Sequence, residues 1–165
     1  EPCMGAPFPQ NRRDWRAPVL PPALSGGGFV ATWIESVGTA ERVLYQKFNA
    51  DGTKNGAETV VSSGTSVGYQ NTTIRVSNDN SFIVAWQEGG GLTPQSKYQL
   101  YSASGVPIGS VKDVSTGYES QPDMAVLSDG GFVMTWRHAN NFGVLCGCLS
   151  ACHGVGQRWL RHLIQ

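Results

Sequence analysis

The stretch VLSDGGFVMTW (126–136) is the third writing of one phrase, after ALSGGGFVATW (23–33) and VSNDNSFIVAW (76–86). Phe29, Phe82 and Phe132 are each followed four residues later by Trp33, Trp86 and Trp136, and the copies stand 53 and then 50 residues apart. A second phrase keeps step: YQKFNADG (45–52) and YQLYSASG (98–105) each begin twelve residues after their Trp. A third echo precedes each copy, in APVLPPALSGG, YQNTTIRVSND and SQPDMAVLSDGG. A period near 50 residues implies a supersecondary unit that buries its apolar faces only by stacking on copies of itself.

Each unit reads as four short strands. The first runs into an SGGG, SNDN or SDGG turn; the second is GFVATW, FIVAW or GFVMTW; the third is VLYQKF or KYQLY; the fourth is ETVVSS or VKDVS. Gly, Asn and Asp suit the tight connections of antiparallel hairpins. In the second strand Phe29, Ala31 and Trp33 share one face and Val30, Thr32 and Ile34 the other. Apolar residues on both faces imply a sheet covered on both sides. The expected fold is therefore all-β, made of four-stranded antiparallel units of about 50 residues that match β-propeller blades; a β-sandwich of the same meanders is the alternative.

The expected organisation has a Pro- and Arg-rich N-terminal flank (1–17), a repeat domain (18–138) and a divergent Cys-containing tail (139–165). Within the repeat domain the units fall near 18–66, 67–117 and 118–138, the last incomplete. Three blades fall short of the four to eight that close a ring. The chain is then a piece of a longer protein, or a homo-oligomer completes the ring, or the sheets close differently. In the tail, Trp159, Leu160, Leu163 and Ile164 have the spacing of a short amphipathic helix, while Ser150, Ala151 and Gly154 echo Asn49, Ala50 and Gly52. The tail reads either as a decayed third-strand motif or as sequence joined from another frame.

The pattern LSDGGFV-x-TW, then Y-x-x-F-x-A-x-G, then Q-P-x-x-A-x-LSDGG resembles the tandem repeats of large secreted bacterial proteins of the RTX and adhesin type, and of repeat-rich surface proteins of some protists. The resemblance covers roughly residues 18–138. It implies an extracellular or cell-surface module and brings no catalytic residues with it. The RTX calcium nonapeptide GGxGxDxUx is absent from the sequence, so calcium binding of that kind is not implied.

Bulk properties narrow the partners. The 165 residues suit one domain. Twelve basic and twelve acidic side chains cancel, with no cationic run, which sets nucleic acid aside. No run of about 18 apolar residues exists to span a bilayer. The chain starts at Glu1 without a charged and apolar leader, so a secretion signal is already removed or was never there.

Several constellations are weighed for chemistry. GTSVG (64–68) matches the G-x-S-x-G nucleophile elbow, making Ser66 the nucleophile of a small esterase-like serine hydrolase, with Asp123 and His138 following in α/β-hydrolase order. The residues after it, YQNTTIRVSNDN, lack a helical period. Two residues beyond each Trp stand Glu35, Glu88 and His138, which at equivalent places around a propeller axis would converge on a divalent cation. Otherwise no cofactor is expected. Cys146, Cys148, Cys152 and His153 offer soft ligands at C-x-C-x3-C-H, against a disulfide involving Cys3 or free thiols. NADGTKNGAE (49–58) carries calcium-loop oxygens but reads better as a tight turn. The three Trp residues read as core rather than as sugar platforms. Tyr69 and Tyr118, in polar loops, are the expected exposed binding contacts. The functional expectation is a binding or adhesion module for a glycan or a surface protein, with no covalent chemistry; the serine hydrolase is the alternative.

Overall fold

The computed structural model describes residues 21–65, 67–89, 94–114, 119–128, 131–140, 143–151 and 162–164. Only the backbone is described for 119–120, 138–140, 143–151 and 162–164. Among the described residues, eleven strands form three antiparallel sheets. The first sheet holds β1 (Phe29–Val37), β2 (Ala40–Phe48) and β3 (Thr59–Thr65) in that order. The second holds β4 (Gln70–Val76), β5 (Phe82–Glu88), β6 (Gln95–Tyr101) and β7 (Pro107–Asp113). In the third, β8 (Glu119–Val126), β9 (Phe132–Asn140), β10 (Gly143–Ala151) and β11 (His162–Ile164) lie side by side. The described residues contain no helix.

One register recurs through all three sheets. Phe29 stands opposite Phe48, Phe82 opposite Tyr101 and Phe132 opposite Ala151. Before each of these residues the chain makes the same turn. Leu24 N donates to Gly28 O, Ser77 N to Ser81 O and Leu127 N to Gly131 O. The third turn residue takes a positive φ, +83° at Gly27 and +64° at Asn80, which only Gly and, at small cost, Asn adopt readily. That requirement explains why SGGG (25–28) and NDNS (78–81) are interchangeable here.

Alternation places two different faces on each sheet. On the second, Phe82, Val84, Trp86 and Tyr101 pack with Val30, Val43 and Tyr45 of the first. Ile83, Ala85 and Tyr98, on the opposite face, pack with Met124, Phe132, Met134 and Trp136 of the third. β5 is thus buried on both sides, and a large apolar side chain so placed contributes about 1.5–3 kcal/mol. Both seams use one aromatic lock: Tyr45 meets Phe82 edge-on at 5.0 Å between centroids, and Tyr98 meets Phe132 edge-on at 5.6 Å. Trp86 is fully buried and Trp136 nearly so, as core residues.

Two local details stand out. Among the described residues the first strand of the first unit is one bridge, Ala23 to Phe29, because Pro21 and Pro22 have no N–H to give a ladder. The third sheet includes β10 and β11, which lie in the divergent tail. Backbone N–H and C=O groups pair there although the side-chain pattern has diverged. The sequence echo would set Leu149 opposite Phe132, yet the ladder sets Ala151 there, a shift of two that keeps every residue on its face. The short C-terminal helix gives way to β11: Leu163 and Ile164 join the open edge of β10, whose unpaired backbone groups draw them in. Trp159 and Leu160 lie outside the described residues.

Candidate functional site

The two ends of the sheets differ in kind. One end carries the recurring turns at 25–28, 77–81, 49–52 and 102–105. At the other end lie the connections β1–β2, β3–β4, β5–β6 and β7–β8; GTSVGY and STGYES, which join successive sheets, share S-x-G-Y, whereas the hairpin loops SVGTA and GGGLTPQ share no pattern. Within a single chain, then, the turns of one end are held alike, while the hairpin loops of the other end vary.

At the varied end a buried glutamine ties two strands together. Gln87 Oε1 accepts from Asn71 Nδ2 at 2.9 Å and from Gln121 N at 3.3 Å, while its Nε2 donates to Gly89 O at 3.4 Å. Asn71 and Gln121 hold φ of +50° and +55°. Each sits where the first strand of its sheet breaks register, between Gln70 and Thr73 and between Ser120 and Asp123. A left-handed conformation costs an L-residue about 1–2 kcal/mol, and such bulges re-aim side chains near binding sites. Gln87 gives both bulges a common acceptor. Across the β5–β6 ladder from Gln87 lies Ser96, whose buried Oγ has no partner.

The loops around this tie are pinned by further bonds. Gly68 N donates to Glu41 Oε2 at 2.6 Å, Gly89 N to Val67 O at 3.1 Å, and Thr32 and Thr72 share a hydroxyl hydrogen bond at 3.0 Å. The arrangement is a set of mutually satisfied amides and hydroxyls, with the Glu41 carboxylate among them, that fixes the strand ends from which the loops spring.

Glu35 and Glu88 lie at this end, each engaged on its own sheet. Glu35 pairs with Arg42 at 2.9 Å, directly across the β1–β2 ladder, and Glu88 lies 3.5 Å from Lys97, which also reaches Asp113 at 3.6 Å. Cross-strand cations meet these carboxylates before a shared cation could. Among the described residues no three His, Cys, Asp or Glu side chains gather as a metal site would require. His138 is a β9 position opposite Glu119 and Leu145; its side chain lies outside the described residues.

Of the expected triad, only the Asp123 side chain falls among those described. Asp123 is exposed and paired with Arg75 at 2.8 Å across the sheet seam. Its backbone lies opposite Thr135, whereas His138 lies opposite Glu119. Ser66 lies outside the described residues, and the chain after it runs into β4, where a nucleophile elbow needs a helix.

Tyr69 is a correction: it is buried rather than exposed, packed beside Ile74 and Trp86, with its hydroxyl 2.9 Å from Ser62 Oγ. The apolar ring finds the seam between the first two sheets and the hydroxyl finds a partner there, so the polarity of the surrounding loop misleads. Tyr118, Cys3, Cys152 and His153 lie outside the described residues; Cys146 and Cys148 are β10 positions opposite Arg137 and Thr135. The loop at 49–58 is the tight turn expected: Asp51 Oδ1 accepts from Thr53 Oγ1 and Thr53 N, and these bonds, the hydroxyl first, lower its carboxyl pKa.

Gln87, Asn71 and Gln121 escape a reading of the sequence. Gln87 has no counterpart in the phrases, and positive φ at a Gln carries no sequence mark. Comparison with protein-family models, curated proteins and solved structures returns no match.

Proposed function

We propose that this chain is a propeller-type repeat module of the cell surface or extracellular space, and that it binds a glycan or surface protein through the loops at the varied end of its sheets. The observation that carries the reading is the asymmetry between the two ends. Turns that serve folding stay alike in all three phrases, while the hairpin loops opposite, SVGTA and GGGLTPQ, differ, and loops on a rigid scaffold are where recognition concentrates. The hydrogen bonds around Gln87 hold the strand ends from which those loops spring. The resemblance to secreted adhesin-type repeats supports the location. The mechanism is non-covalent: strand ends fix the loops, and the loops read the ligand.

Binding of the labelled chain to an immobilised glycan panel tests this reading. Replacing GGGLTP (89–94) by a Gly-Ser loop of equal length abolishes binding, and Asp51→Ala, at the opposite end, leaves it intact. Binding indifferent to the loop replacement overturns the assignment of the face. Labelling by a fluorophosphonate at Ser66, absent in Ser66→Ala, would make the chain a serine hydrolase instead.

A further inference from the structure

We propose that the outer face of the first sheet is a docking surface for another sheet of the same design, supplied by a repeat that precedes this segment in its polypeptide. The two seams within the chain show the rule. In each, the face bearing Phe and Trp of one sheet receives the aliphatic face of the sheet before it. Where that covering sheet is present, Phe82, Trp86 and Tyr101 are 2%, 0% and 4% exposed. The same three positions on the first sheet are Phe29, Trp33 and Phe48, and all three are only half-buried. Phe29 and Phe48 are nevertheless stacked at 4.7 Å and 13°, as Phe82 and Tyr101 are at 5.1 Å and 12°. The first sheet holds its aromatic pair in the docked geometry.

The chemistry of the occupant follows from what fills the equivalent place inside the chain. The first sheet offers the second Val30, Thr32 and Val43, with Tyr45 edge-on to Phe82. It adds hydrogen bonds from Tyr45 Oη to Gly105 O (2.9 Å) and Lys47 Nζ to Ala103 O (2.6 Å). The partner's face therefore carries Val or Ile and Thr or Ala on its second strand, and Tyr on its third. A second copy of this chain fits less well. Its free face, on the third sheet, exposes Thr135 and Arg137, and the register sets Cys148 and Ser150 where the first sheet has Tyr45 and Lys47. The proposal rests on sheet stacking alone and stands or falls apart from the ligand reading.

The test extends the full chain by placing a copy of residues 67–117 ahead of Glu1, so that Ile83, Ala85 and Tyr98 of the added sheet are offered to Phe29 and Trp33. The extended chain unfolds in one transition at a higher temperature than the chain alone, and Tyr98→Ala in the added copy only removes the gain. Two separate transitions, or no gain, overturn the proposal. So does light scattering showing the unextended chain as a dimer that Phe48→Asp, still folded by circular dichroism, converts to monomer, for the occupant is then a second copy.

Discussion

Tyr45 donates its phenolic hydrogen to the carbonyl of Gly105, sixty residues on, at 2.9 Å, and Gly105 holds φ +91° with no room beyond. A Cβ at Gly105 would stand 2.8 Å from the Tyr45 oxygen. Tyr45→Phe removes one hydrogen bond across the seam and costs about 1 kcal/mol in urea unfolding. Gly105→Ala adds left-handed strain of about 1–2 kcal/mol to that collision. The double variant loses less than the sum, because taking away the oxygen makes room for the methyl. Strict additivity would mean that the two residues do not meet.

Gln46 and Gln99 repeat one device. Gln99 Nε2 donates to Leu100 O, Ile108 O and Gly109 O, and Gln46 Nε2 to Lys47 O, Asn55 O and Gly56 O, at the same offsets in the two sheets. Each side chain holds the start of its sheet's outer segment against the third strand. Gln99→Leu keeps the volume but strands those carbonyls, costing about 1–3 kcal/mol. Amide hydrogen exchange should rise mainly along Pro107–Asp113; a uniform rise over the whole chain would argue against a local clamp.

Trp86 and Asp123 make a calibrating pair. Trp86 is wholly buried between two sheets, so Trp86→Ala costs about 3–5 kcal/mol, enough to unfold a marginal domain. The Arg75–Asp123 bridge is short, but Asp123 keeps 69% of its side chain in solvent, so Asp123→Asn costs under about 1 kcal/mol and less in high salt. Urea unfolding separates the two. A large loss from Asp123→Asn would give that carboxylate a role beyond the surface pair.

The sheets were legible because their information is periodic. Phe and Trp four apart, with Gly or Asn where the turn needs positive φ, state both strand and hairpin in the sequence itself. The same holds for Trp86 in the core, since β5 alternates apolar residues on both faces. Tyr69 was misread because a loop's polarity says nothing about where one ring packs. The Gln87 tie was invisible because it joins residues from three strands, and φ at Asn71 and Gln121 is set by those contacts rather than by residue type. The tail was half legible: its residues echo the third strand, but pairing obeys backbone register, and the echo is two residues out of step with it.

Alkaline stability offers a last prediction. Burial pushes the hydroxyls of Tyr98 and Tyr101 up to about 12, from an ordinary value of 10.0, and for Tyr101 the neighbouring Tyr45 adds to the effect. The folded state thus favours the neutral phenol more strongly than the unfolded chain does. The corresponding stability is fully present below pH 10 and is lost as pH rises from about 10 through about 12, because the unfolded chain releases these protons first. Urea midpoints should stay level as far as pH 10 in this respect and then fall. Tyr98→Phe, which removes one ionising group while keeping the ring against Phe132, should make the fall shallower. The absorbance of tyrosinate at 295 nm, followed with circular dichroism, checks the sign: ionisation of these two rings should accompany unfolding. Full titration near pH 10 with the sheets still intact would show that the rings are open to solvent.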